Sequence, residues 1–331
     1  MRTIRLSAAA VVIVGGIVLK AVSASTHTAS DAKSPEVARA LRPKRTENSM
    51  YFKTADVAGV RLFYREAGDP SKPTIVLLHG FPSSSYQFHD LIPRLADRFH
   101  VLAPDYPGMG YSEAPAPAVL RPTFDDVSKA IDAFIAQRTS GPLIVYMHDF
   151  GGQIGMRFAT AHPERIAGLI LQNFTLTEKA WDPERLKVYE RLGGPETPEK
   201  LAEAEKSATV ERSKFLHKTG ARQPEALNPD YWAIDAYAFS IEANRVFMSR
   251  WLMNLSTNIP RFPEFTAYLK DRQPKTLIVW GRNDPLLLPA AAEFFKQLMP
   301  KADLRYFDGG HFVLDEYADE IAEAIIETFS R

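Results

Sequence analysis

Short, continuous apolar runs punctuate the sequence, each closing on a polar residue or a glycine. "TIVLLHG" (74–80), "HVLAPD" (100–105), "LIVYMHD" (143–149), "GLILQNF" (168–174) and "TLIVWG" (276–281) share this form. A run of apolar residues without alternation is what a strand buried on both faces requires. "VRLFYREAG" reads as a further strand ending at Gly68-Asp69-Pro70, and "DLRYFDG" (303–309) as a weaker last one. Helix-length stretches separate them at 85–99, 124–138, 151–162, 290–299 and 316–329. Strands alternating with helices predict an α/β fold with a mostly parallel sheet covered on both faces. The alternation breaks between 175 and 260, a charged, helix-prone segment holding Trp181, Tyr189, Tyr231, Trp232, Tyr237 and Trp251. Such an insertion predicts a helical cap over the strand ends, where open α/β sheets bind ligands.

The 331 residues are 45% hydrophobic and 24% charged, enough for a large core. Forty basic and forty acidic residues cancel, so nothing in the charge points to nucleic acid or an anionic surface as partner. Cysteine is absent, which excludes disulfides and thiolate metal sites. No His/Asp/Glu cluster has metal-ligand spacing and no glycine-rich phosphate loop appears, so neither metal nor cofactor is expected. The first residues carry Arg2 and Arg5, an apolar run from Leu6 to Leu19, and the small-residue pattern Val22-Ser23-Ala24. That is the form of a secretory signal peptide cut after Ala24, and the run is short of the roughly 20 residues a spanning helix needs. The expectation is a periplasmic or secreted protein: a signal peptide at 1–24, a polar linker at 25–48, a core at 49–174 and 261–331, and a cap at 175–260.

Asp149 follows the buried run 143–147 and precedes Gly151 and Gly152. Two glycines there permit the close strand–helix approach of a sharp elbow, and the following helix aims backbone N–H groups at the carboxylate. Asp284 lies just after the run 276–281, and His311 stands behind two glycines after the last strand. Nucleophile, then acid, then histidine is the chain order of an α/β-hydrolase triad, and each follows a strand C-terminus. "HGFP" (79–82) follows the strand 74–78 and suits an oxyanion loop, with the N–H of Phe81 joining that of Phe150.

"LLHGFPSSSYQFHDLIPRLADRFHVLAPDYPGMGYSEAP", with "HDFGG", "HPERI", "IVWGRNDP" and "GGHF", resembles the α/β-hydrolase superfamily over residues 51–331. More narrowly it resembles the aspartate-nucleophile branch that holds epoxide hydrolases and haloalkane dehalogenases. Met147 departs from the small residue usual two positions before the nucleophile, and needs a compensating change in packing nearby.

A carboxylate attacking an acyl carbon gives a mixed anhydride, a poor intermediate, whereas attack on an sp³ carbon gives a stable ester. The resemblance implies that Asp149 forms such an ester, and that His311, oriented by Asp284, deprotonates the water that hydrolyses it. The expected substrate is a small apolar organic molecule. Its leaving group needs a donor of its own: tyrosine hydroxyls for an epoxide, N–H groups for a halide. Phe150 and Phe81 stand where dehalogenases commonly place Trp and Asn, so epoxide hydrolysis is the first expectation and dehalogenation the second. A non-catalytic binding protein on the same fold is the alternative of a different class. "SRWLMNLSTN" puts Leu252 at the usual position of a ring-opening tyrosine, leaving Tyr189, Tyr231 and Tyr237 as candidates, with Trp232 as a further pocket residue. His148 and His79 read as structural, and Asn173, as an amide, cannot be the triad acid.

Overall fold

The computed structural model describes residues 49–330; the expected signal segment and linker at 1–48 lie outside the described residues. Eight strands form one sheet in the order β1-β2-β4-β3-β5-β6-β7-β8. They are β1 (Tyr51–Val57), β2 (Val60–Ala67), β3 (Thr74–Leu78), β4 (His100–Pro104), β5 (Leu143–His148), β6 (Ile166–Gln172), β7 (Thr276–Gly281) and β8 (Asp303–Phe307). The β1/β2 and β2/β4 pairs are antiparallel; all later pairs are parallel. Strands β3, β4, β5 and β7 are buried along their whole length, as their unbroken apolar runs require. Helices α1 (Leu91–Leu95), α2 (Phe124–Arg138), α3 (Phe150–Ala161), α10 (Ala290–Leu298) and α11 (Leu314–Phe329) cover the two faces. Each face has its own apolar cluster, one around Phe124, Phe150 and Trp251, the other around Phe88, Leu95 and Ile321.

Between β6 and β7 run α4 (Pro183–Leu192), α5 (Pro198–Glu205), α6 (Val210–Lys218), α7 (Asp230–Ser240), α8 (Glu242–Met253) and α9 (Phe262–Arg272). Thr197 and Thr209 cap α5 and α6 through their hydroxyls, and Asp182 caps α4 through its carboxylate. The strand order reverses between β3 and β5, because β4 lies on one side of β3 and β5 on the other. That reversal opens a crevice at the strand C-termini, and Phe81 and Asp149 both stand there.

The elbow at Asp149 depends on how closely α3 approaches the sheet. A methyl group on Gly151 would collide with the Leu78 carbonyl of β3. One turn on, a Cβ at Gly155 would lie 2.7 Å from Met147 Cγ. Gly155 is thus the compensation that Met147 requires: the bulk removed from the helix is the bulk added to the strand. We expect Gly155→Ala to destabilise by about 1–3 kcal/mol through overpacking, despite alanine's better helix propensity of about 1 kcal/mol. In a Met147→Ala background the same change should stabilise instead. Urea unfolding of the two single variants and the double reads this reversal of sign.

Candidate active site

Asp149 sits at φ 49°, ψ −112°, a backbone conformation rare for any residue with a side chain. Such a residue stores about 1–3 kcal/mol of strain and persists only where its surroundings over-determine it. Here those surroundings are amides. The N–H of Phe81 donates to Asp149 Oδ1 at 2.8 Å, and the neighbouring Phe150 amide also favours the charged carboxylate. Burial raises the Asp149 pKa, while the His311 charge and the two amides oppose that rise.

His311 is fully buried, and its Nδ1–H donates to Asp284 Oδ2 at 2.7 Å. Its Nε2 lies 3.8 Å from Asp149 Oδ2 and makes no hydrogen bond among the described residues. Burial alone would lower the His311 pKa, but the charge and hydrogen bond of Asp284, with the charge of Asp149, reverse this and raise it. Asp284 is saturated. Its Oδ1 accepts the amides of Leu286 (2.7 Å) and Leu287 (3.1 Å), and its Oδ2 also accepts Asn173 Nδ2 at 2.7 Å. Asn173, at φ 39°, accepts the Gly281 amide on its Oδ1 at 3.0 Å. It therefore clamps Asp284 from the neighbouring strand end, a role that reading it only as a failed acid passes over.

The other histidines hold the frame. His148 is buried and donates from Nε2 to the His311 carbonyl at 3.1 Å. Burial lowers its pKa well below the usual value, so it is neutral. His79 donates from Nδ1 to the Gly80 carbonyl (2.9 Å) and accepts the Tyr106 amide on Nε2 (3.2 Å). Burial pushes its pKa down to about 4. Asp105 accepts the amides of Ser85 and Tyr111, tying two loops together.

A cavity of about 50 Å³ opens over Asp149 beneath the helices between β6 and β7. Of the four aromatic pocket candidates only Tyr189 lines it. Its hydroxyl makes no hydrogen bond among the described residues, and burial, followed by the nearby Asp149 charge, pushes its pKa up to about 12. Tyr231, Tyr237 and Trp232 are corrections to the sequence reading, because α7 does not face the cavity. Tyr231 donates its hydroxyl to Asp90 at 2.8 Å, Tyr237 is 52% exposed, and Trp232 sits beside His217 and under Lys214. Leu252 does line the cavity, as do Trp181, Arg185 and Arg212, which the sequence reading did not assign to it. Among the described residues no group of three or more His, Asp or Glu could hold a metal ion.

His217 is not a cavity residue. It is buried between two buried aspartates, 2.6 Å from Asp315 and 3.7 Å from Asp235, and it stacks on Phe312. Ser213 also donates to Asp235, at 2.5 Å. Burial opposes charge on His217, but the two carboxylates outweigh it and raise its pKa to about 9. This cluster joins α6 and α7 to the start of α11, four residues beyond His311. A folded pKa above the usual 6.5 stabilises fully below that value, and the contribution is lost as pH rises through about 9. We expect His217→Gln to lower stability at pH 6 by about 3–5 kcal/mol, the effect of leaving buried carboxylates unpaired. It should also flatten the fall in urea midpoint between pH 6.5 and 9; an unchanged pH profile would remove His217 as its source.

Comparison with known proteins places this geometry in context. Residues 73–318 match the family model of the alpha/beta hydrolase fold. An uncharacterized hydrolase of Saccharomyces cerevisiae is 32% identical over 82% of this chain and 94% of its own. Haloalkane dehalogenase 2 of Mycobacterium tuberculosis is 27% identical over 81% of this chain and 91% of its own. The solved structure of the epoxide hydrolase CorEH superposes with a TM-score of 0.70 at 19% identity, covering 85% of this chain and 99% of that one.

Proposed function

Since the chain belongs to the α/β-hydrolase fold family and is a hydrolase of that family, we propose that it opens epoxides through an ester on Asp149. The observation that carries this reading is the Tyr189 hydroxyl, which makes no hydrogen bond among the described residues, in the same cavity as the Asp149 carboxylate. In the first step Asp149 Oδ2 attacks an epoxide carbon while Oδ1 stays on the Phe81 amide. The ring C–O bond breaks, and the departing alkoxide takes the Tyr189 proton. A tyrosine pushed up to about 12 remains far more acidic than an aliphatic alcohol, so the transfer is downhill.

In the second step His311 Nε2 takes a proton from water, and the hydroxide adds to the Asp149 carboxyl carbon. The Phe81 and Phe150 amides then hold the tetrahedral oxyanion they had held as a carboxylate oxygen. Collapse releases the diol and restores Asp149, and the proton on His311 returns to the tyrosinate. Asp284, fixed by four donors, keeps His311 in the tautomer with Nε2 free. The same triad gives a purely binding role nothing to do.

Dehalogenation is the second reading, supported by Trp181. It lines the cavity, its indole N–H makes no hydrogen bond among the described residues, and a haloalkane dehalogenase is among the relatives.

Replacing His311 with Gln removes water activation, so the ester should accumulate. Intact mass after exposure to epoxides should show one adduct, mapped to Asp149; absence of any adduct with both epoxides and haloalkanes would reject the ester mechanism. Tyr189→Phe should slow epoxide opening by about 10²–10³-fold, the usual effect of losing a donor to a developing oxyanion. An equal loss of bromide release from haloalkanes would show that Tyr189 serves packing and not the alkoxide.

A further inference from the structure

Several arginines of the helical insertion have a carboxylate partner. Arg191 pairs with Glu203, Arg245 with Glu205 at 3.9 Å, and Arg250 with Glu196 at 2.9 Å. Arg185 and Arg212 do not: no carboxylate among the described residues lies within ion-pair distance of either guanidinium. Of the insertion's arginines, these two line the cavity over Asp149. Arg185 stands one helical turn before Tyr189 on α4 and so shares its face. Arg212 comes from α6, where its guanidinium lies 5.0 Å from the Phe215 ring. Both are half-buried, and apart from Asp149 the cavity lining holds no acidic side chain. Arg212 feels Arg185 as a like charge, and burial, then that repulsion, lowers its pKa.

Two like charges brought together away from water, with no counter-ion, destabilise the fold unless something else compensates. Asp149 supplies only part of that compensation: its charge acts on Arg212, but it forms no ion pair with either arginine, and one negative charge leaves the other guanidinium unmatched. A guanidinium presents a planar fork of donors that matches a carboxylate, and two forks facing one cavity can hold both its oxygens.

We infer that Arg185 and Arg212 form an anion subsite, and that the substrate is a carboxylate-bearing electrophile whose charge this pair pins while its sp³ carbon meets Asp149. The inference rests on the reading of Asp149 as the nucleophile. It also alters the expectation of an apolar substrate: the cavity is apolar along Phe81, Phe150, Leu252 and Leu286 but cationic at its other wall.

The test pairs binding with turnover. Butanoate and butanamide are titrated calorimetrically into the wild-type protein, Arg185→Gln, Arg212→Gln and the double variant, each checked for folding by thermal melting. Arg185→Lys and Arg212→Lys keep the charge and serve as second variants. Butanoate should bind the wild type, butanamide should not, and each Gln change should weaken butanoate by roughly ten- to a hundredfold, with partial rescue by Lys. In turnover, 3,4-epoxybutanoate should exceed its methyl ester in kcat/KM by at least about tenfold in the wild type, and that ratio should fall toward one in the double variant. The pair 4-bromobutanoate and its methyl ester applies the same comparison to halide release. Equal binding of butanoate and butanamide, butanoate affinity unchanged in the double variant, or no preference for acid over ester would each overturn the subsite. Arginine-dependent butanoate binding without any adduct on Asp149 in the His311→Gln protein would uphold the subsite while rejecting the nucleophile reading, so the two failures are distinguishable.

Discussion

Everything in the site depends on one contact: the Phe81 N–H donating to Asp149 Oδ1 at 2.8 Å, across the crevice between β3 and β5. It exists because α3 starts immediately after Asp149 and lies so close to β3 that only glycine fits at position 151. The approach forces Asp149 to φ 49° and points its carboxylate at two amides. A carboxylate carries charge in its resting state, so it needs those amides before any reaction begins. Burial disfavours that charge, and the amides with His311 are what oppose burial. The same donors suit a tetrahedral oxyanion without moving, and such preorganised donors need no rearrangement at the moment of reaction.

A second ring of contacts keeps His311 in place. Asn173 spans the ends of β6 and β7, accepting the Gly281 amide and donating to Asp284. Asp284 holds His311 through its side chain, while His148 holds it through its main chain. Imidazole rotation and backbone drift are restrained separately, by groups from three different strand ends. Neutral His148, packed against the His311 ring, adds no positive charge that would compete with a proton on His311.

The parallel strands and the convergence of Asp149, Asp284 and His311 were legible in the sequence because both rest on local signals: unbroken apolar runs, and chemical residues placed just after them. Strand β1 was not, because it is an edge strand whose residues, such as Phe52 at 63% exposure, mostly face solvent. The helix expected over 85–99 is instead a short 3-10 turn at Ser85–Phe88 followed by α1, since Ser84 caps one and Pro93 lies in the other. Asn173 could be placed at a strand end, yet its grip on Asp284 arises only when β6 and β7 lie side by side. In the insertion, sequence showed which residues were aromatic but not which way each helix turned. Thus Tyr231, Tyr237 and Trp232 look like Tyr189 until α7 is seen packed on α6 and α8. Arg185 and Arg212 were hidden by the opposite effect, because arginine in a charged helix reads as surface. The four-residue spacing of Arg185 and Tyr189 was the available signal.

Charge balance links the elbow to the cap. Among the residues lining the cavity, Arg185 and Arg212 carry two positive charges and Asp149 one negative, which leaves one positive charge unmatched. A single anionic group on the substrate closes that sum. Displacement then changes no total: the negative charge leaves Asp149 as the ester forms and appears on the departing atom, nearer the cap. A cavity whose field is fixed by guanidiniums favours exactly the state in which charge has moved toward them. In the proposed epoxide opening, Tyr189, on the same helical face as Arg185, would deliver its proton where that charge arrives. The nucleophile's identity thus sets the problem at the sheet, and the cap answers it with donors that a serine enzyme on this fold has no need to place there.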